Sequence, residues 1–350
     1  VRTKRRQRAA FRLALGACLT IALSSPGIAA DVTPANGPFT SSAGTPLAVT
    51  TRPIHHFAIG RSRTRFGDLV FEGGLVVSSR DERFEGLSSI RLDADRQAFL
   101  GITDTGYWYA GRLQRDDDGR LAGITGFTMA PLKGEGGRIS RYKEESDAES
   151  LAIGPHGVLV GFERDHRIEL YPLRDPMGSA PLKRLPIPFP RSELRSNRGL
   201  ETLAIAPRSS VLAGSAVAVA EMSINPAGDI FAGVLAGPRA GTFFVHRDPP
   251  FAISDGDFLK NGDLLLLERG VTLASAFQTR IVRVPAAAIR PGATVTGREI
   301  FRAGPGDQID NMEGLSVTYD ETGTAHLLLV SDDNGSILQR TLFLEFRLVE

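Results

Sequence analysis

Leu200-Glu201-Thr202-Leu203-Ala204 is one of five similar stretches in which an acidic residue opens a short apolar strand. Phe84-Glu85-Gly86-Leu87-Ser88, Ala148-Glu149-Ser150-Leu151-Ala152 and Met312-Glu313-Gly314-Leu315-Ser316 repeat it closely, and Ser254-Asp255-Gly256-Asp257-Phe258 is a degenerate copy. Successive copies lie 52 to 64 residues apart. A repeat of that length holds several strands, and its recurrence along one chain marks a β-propeller, where radial repetition leaves only short, protected edges.

The spacing of apolar runs and turn residues fills in each unit. In the second, Ser150 to Ile153, Val158 to Phe162, Arg167 to Leu173 and Leu182 to Ile187 read as a four-stranded antiparallel meander. The first gives Leu87 to Leu92, Ala98 to Thr103, Trp108 to Gln114 and Leu121 to Thr128, and the fourth contains Leu264 to Leu267 and Ile281 to Val284. The last unit holds only three strands, Leu315 to Thr318, His326 to Val330 and Thr341 to Leu348. The segment from Asp68 to Ser78 supplies the missing one, so the expectation is an all-β propeller of five four-stranded blades closed by an N-terminal strand. Six blades is the alternative. Residues 67–350 form this one domain, and no long helical periodicity interrupts it.

The first 30 residues read as a secretory signal: Arg2, Lys4, Arg5, Arg6 and Arg8, an apolar stretch from Leu13 to Leu23, and small residues at Ala29-Ala30. This predicts a periplasmic or secreted protein. Removing the segment takes away six basic and no acidic residues, turning a net charge of +1 into −5. That sign argues against nucleic acid or an anionic membrane as partner. No stretch is long and apolar enough for a spanning helix. Cys18, the only cysteine, goes with the leader and leaves no disulfide or thiol chemistry. Residues 31–66, rich in Pro, Thr, Ser and Gly, form an arm before the first strand. A monomer is expected.

Strand direction brings the acids together. Each opening acid begins an innermost strand, and a second set, Asp104, Glu163, Glu221, Glu268 and Asp332-Asp333, ends the next strand. Neighbouring strands are antiparallel, so both sets face one mouth. Like charges crowded there raise one another's pKa, and a hard divalent cation relieves them. Calcium accepts six to eight oxygen ligands in loose geometry, which suits groups arriving from separate blades. The expected ligands are Glu85, Glu149, Glu201, Glu313 and, from the degenerate unit, Asp255 or Asp257. Asn197, Asn311 and Asn334 lie in the same loops. The scattered histidines and lack of cysteine do not suit zinc. The competing reading makes each Glu a blade anchor that accepts backbone N–H bonds.

Basic residues share those loops. Arg164, Arg198 and Arg269 are the expected grips for an anionic substrate, since a guanidinium holds phosphate or carboxylate oxygens bidentately. Glu163 and His166, in Glu163-Arg164-Asp165-His166, are the expected acid–base pair. There is no G-x-S-x-G nucleophile elbow and no phosphate-cradling P-loop.

From Gly67 to Leu348 the sequence resembles the bacterial phytase-like domain, often named esterase-like activity of phytase. The resemblance is carried by Arg83-Phe84-Glu85-Gly86-Leu87, Asp104-Thr105-Gly106, Glu149-Ser150-Leu151, Gly161-Phe162-Glu163-Arg164, Arg198-Gly199-Leu200-Glu201-Thr202-Leu203, Leu266-Leu267-Glu268-Arg269 and Asn311-Met312-Glu313-Gly314-Leu315. It implies an exported, propeller-like hydrolase. The functional expectation is a calcium-type, metal-dependent hydrolase of phosphate or other esters acting on a small anionic substrate. The alternative is a non-catalytic propeller that binds a ligand or cell-envelope partner, because fold alone does not settle function.

Overall fold

In the computed structural model, residues 38–39, 41–272 and 276–349 are described. The expected secretory signal and the first part of the arm lie outside the described residues. Five mainly antiparallel sheets account for nearly all regular structure, and each unit of the repeat is one of them. The innermost strands are Leu87–Leu92, Ala148–Gly154, Leu200–Ile205, Phe251–Phe258 and Asn311–Tyr319, in blades 1 to 5. Each packs beside the next, and the fifth packs beside the first, so the sheets form a closed ring. The fold is a five-bladed β-propeller.

Inner strands buried on both faces need near-continuous apolar or small sequence. Leu87–Leu92 is buried at all six positions. Four apolar clusters fill the spaces between blades. Trp108 of blade 1 meets Tyr171 of blade 2 edge-on at 5.2 Å, and Phe99 of blade 1 meets Phe343 of blade 5 at 5.6 Å. Small hydroxyls sew the inner strands together: Ser150 Oγ donates to the Leu200 carbonyl at 3.0 Å, and Ser254 Oγ to that of Met312 at 2.9 Å.

The N-terminal closure has the expected form. Leu69–Ser79 pairs antiparallel with Thr341–Leu348, with Val77 opposite Thr341 and Leu69 opposite Leu348. The arm is held more tightly than its composition suggests. Val49–Ile54 adds a strand outside Leu69–Ser79, and Thr45–Pro46 pairs with Met129 and Thr128 at the edge of blade 1. Phe57 is fully buried and touches the rings of Phe66, Phe71, Phe301 and Phe346. Aromatic burial of this size offsets the ordering entropy of a Pro- and Ser-rich segment.

One feature recurs in all five blades. The innermost strand carries a β-bulge where it enters the sheet, with Ser88, Glu149, Glu201, Ser254 and Glu313 as the extra residues. A bulge leaves one residue unpaired and re-aims its side chain. Here it turns four of them, Ser88, Glu149, Glu201 and Glu313, toward one end of the channel, while Ser254 stays buried against the Met312 carbonyl.

Candidate functional site

At that end lies a cup of ≈ 500 Å³. Glu149, Glu201, Glu313 and Ser88 from the bulges line it. A second ring comes from the neighbouring strands, where the residue facing the start of each innermost strand is Asp104, Glu163, Glu221, Arg269 or Asp332. All five line the cup, and Asp147, Lys143, Arg164, Arg198, Asn197 and Asn334 complete it. Eight carboxylates thus face four cationic groups among the described residues.

The register corrects several expectations. Ser88, not Glu85, holds the bulge of blade 1; Glu85 does not line the cup. In blade 4 the equivalent is Ser254, so Asp255 and Asp257 fall deeper on the strand. Asp255 is buried and Asp257 half-buried, and both are structural groups. Asp255 accepts from Arg91, Ser89 Oγ and the Leu315 N–H, and Asp257 from the Val317 N–H at 2.8 Å. Glu268 points away from the cup to Arg280, at 2.6 Å, and Arg269 takes the mouth position. His166 is buried outside the cup lining, packed behind Gly199, and burial lowers its pKa below the usual imidazole value. The expected acid–base partner of Glu163 therefore stands outside the cup lining.

Arg91 closes the channel beneath. Its guanidinium donates to the carbonyls of Ile90, Leu203, Gly256 and Leu315 at 2.6–3.0 Å, and to both oxygens of Asp255. These partners come from blades 1, 3, 4 and 5, so one side chain spans the axis. The cup is therefore blind.

Two carboxylate trios stand in its wall. Asp104, Asp147 and Glu149 each offer an oxygen within 4.8 Å of the others, and so do Glu163, Glu201 and Glu221. Gly86 permits the first: it sits at φ +68°, and a Cβ there would lie 1.8 Å from Asp104 Oδ1. Lys143 donates to Asp104 at 2.5 Å and Arg164 to Asp147 at 2.6 Å. Gly199 N–H holds one oxygen of Glu163 at 2.6 Å. Arg269 is committed to Asn311, Glu313 and Glu221, which makes it an internal counter-ion. Among the described residues lining the cup, Arg198 is the one cation without an ion pair. Its guanidinium meets only the Met222 sulfur.

Crowding and burial leave Glu149, Glu163, Glu201, Glu313 and Asp332 poor acids. Burial, then Asp147 and Asp104, push Glu149 well above the usual carboxylate range, and burial, then Glu149 and Glu221, do the same to Glu201. Burial lifts Glu313 to about 8 against the opposing charge of Arg269, and lifts Glu163 and Asp332 to about 7. A bound cation would restore their charge, and buried carboxylate oxygens are the donor type hard divalent cations take. Asp147 is paired at both oxygens, with Lys143 Nζ 3.6 Å from Oδ1 and Arg164 2.6 Å from Oδ2, whereas Glu201 is buried at the cup with no hydrogen bond or ion pair among the described residues, so the residues around Glu201 fit such an ion. Asp147 escaped the sequence reading; the signal was an acid two residues before a repeat Glu.

The family model Phytase-like, described as esterase-like activity of phytase, matches residues 82–335. No curated protein matches the sequence. Among solved structures, the chain is similar to U3-55K, at 9% identity and a TM-score of 0.37, covering 81% of this chain and 98% of that one. It is also similar to a protein of unknown function from Bacteroides caccae, at 12% identity and a TM-score of 0.33, covering 67% and 68%.

Proposed function

The chain belongs to the Phytase-like family, described as esterase-like activity of phytase, and from that premise we propose that the cup is the active site of an exported, calcium-type hydrolase of phosphate or related esters. The observation that carries the reading is Glu201: it is 5% exposed, lines the cup, and has no hydrogen bond or ion pair among the described residues. A buried carboxylate left in that state costs stability unless a ligand completes it.

The trios would hold the cation, with Glu149 and Glu201 as its central ligands. Bound there, it would neutralise the wall and polarise an ester oxygen. Arg198 grips the anionic part of the substrate, and Arg164 braces Asp147. Hydrolysis adds water across the ester bond and needs a group that accepts a proton and returns it to the departing alcohol. Glu163, expected for that task, is drawn into a trio. Asp332 lines the cup outside both trios and changes charge near pH 7. A small anionic substrate suits both the family and the cup. Among the described residues no helix is long and apolar enough to cross a membrane.

The second reading is a non-catalytic propeller binding a ligand or cell-envelope partner, favoured by the Arg91 plug that makes the channel blind. A hydrolase screen of the purified chain separates the two, run with and without calcium over phosphomonoesters, lactones and carboxyl esters. Turnover of one class that vanishes with chelator is expected. Calcium binding without turnover of any class would favour the second reading.

A further inference from the structure

The wall of the cup is polar, but the loops that rise from it are tipped with hydrocarbon. The loop that leaves Asp332 carries Ile337, 100% exposed, and Leu338, 88% exposed. They are the two central residues of a turn in which the Gln339 N–H donates to the Ser336 carbonyl at 3.0 Å. Gly, Asn, Asp, Ser and Pro serve such positions best, so two aliphatic side chains there expose apolar surface to water without helping the turn. The turn is tied to the cup. Asn334, which lines it, donates from its side chain to Gln339 Oε1 at 3.2 Å and from its backbone N–H to Asp332 at 2.7 Å. The loop before blade 2 repeats the arrangement, with exposed Ile139 and Tyr142 directly before Lys143 of the wall. Both loops rise near Asp104, which accepts from Lys143 and whose charge acts on Asp332.

The charges inside the cup limit the other end of a ligand. Lys143, Arg164 and Arg269 are each committed to a carboxylate of the wall, which leaves Arg198. One free guanidinium, with a cation at Glu201, matches one anionic group. A polyol carrying several phosphates would press its remaining charge against the carboxylates. We propose that the substrate is a phosphate monoester of an apolar alcohol, its phosphate between Arg198 and the cation site at Glu201 and its hydrocarbon chain against the Ile337–Leu338 turn. The inference rests on the hydrolase reading of the cup and names its substrate class. Asp332 stands at the foot of the same loop, so the alcohol departs on the apolar side. The oxygen of water joins phosphorus, the phosphorus–alkoxide bond breaks, and the proton that Asp332 takes from the water passes to the alkoxide.

Two series, both with calcium present, test this: turnover of butyl, hexyl and octyl phosphate below their micelle concentrations, and calorimetric binding of the matching alkylphosphonates, which are not hydrolysed. From butyl to octyl, kcat/KM and affinity should each rise about tenfold, less than full burial of four methylenes would give. In the double variant Ile337→Ser, Leu338→Ser both ratios should fall toward one, with melting curves confirming the fold. Leu182→Ser removes an exposed apolar residue from the opposite end of the propeller and should keep the parent's ratios. A flat series in the parent, an unchanged slope in the double variant, or faster turnover of inositol hexakisphosphate than of octyl phosphate would overturn the inference and leave the hydrolase standing. A chain-length trend in phosphonate binding without turnover of any phosphate would overturn the hydrolase reading and make the amphiphile a ligand, not a substrate.

Discussion

Arg91 of blade 1 donates to Asp255 of blade 4 at 2.9 Å, reaching across the channel between blades that are not neighbours in the ring. Asp255 is wholly buried and Arg91 nearly so. Breaking such a pair strands a charge in the interior and costs about 3–5 kcal/mol. Asp255→Asn and Arg91→Met should each lose that much in denaturant unfolding, with the midpoint shifted and the slope unchanged. A loss below about 1 kcal/mol in both would mean that the plug is ornamental to stability.

Stability of the metal-free chain should fall as pH rises. Glu313 sits at about 8 and Glu163 and Asp332 at about 7 when folded, all raised mainly by burial. A carboxyl with a raised folded pKa favours the folded state while protonated. That stability is complete below its unfolded value near 4–4.5 and is lost as pH climbs through 7 and 8. In chelator, the melting temperature should therefore drop from pH 5 to pH 9. Calcium should flatten the decline, because an ion that binds only the folded state stabilises it by roughly 2.7 kcal/mol at a hundredfold excess over its Kd. Parallel curves with and without calcium would count against a cation in the cup.

Arg269→Gln removes the built-in counter-charge from Glu313 and Glu221. The variant should bind calcium more tightly than the parent when the chelator-stripped chain is titrated calorimetrically. Unchanged affinity would show that Glu313 and Glu221 take no part in holding the cation.

Arg198→Ala should weaken the grip on anionic substrates without touching the wall of carboxylates. KM for a phosphate ester should rise about tenfold or more, since charge-assisted hydrogen bonds contribute roughly 1.5–3 kcal/mol. Values for an uncharged ester and the calcium affinity should stay near those of the parent. Equal losses on charged and uncharged esters would point to a disturbed cup instead.

The ring was legible in the sequence because its signals are redundant. Strands from Leu87 to Leu92, Ala98 to Thr103 and Thr341 to Leu348 lie where alternation and turns put them. The closing strand followed from a deficit in the last repeat. The site was legible only in part, and the reason is the bulge. One unpaired residue shifts every later side chain to the opposite face. Nothing in the order Ser254-Asp255-Gly256 says that the serine, not the acid, is the extra residue, so Asp255 was expected at the mouth. The same one-residue ambiguity put Glu268 where Arg269 stands. Glu149, Glu201 and Glu313 were legible because each repeat kept both the acid and the bulge in place.

Closure through Leu69–Ser79 and Thr341–Leu348 also sets a schedule. Ribosomes make chains from the N-terminus, so the strand that completes the fifth blade emerges before the first four blades are made and its partner only after them. Such distant pairing is slow, because much of the chain must be ordered before the contact forms. Until then blade 5 keeps an open edge ready to pair with another molecule. Both strands must meet in one compartment for the ring to lock, and loss of either should unlatch it.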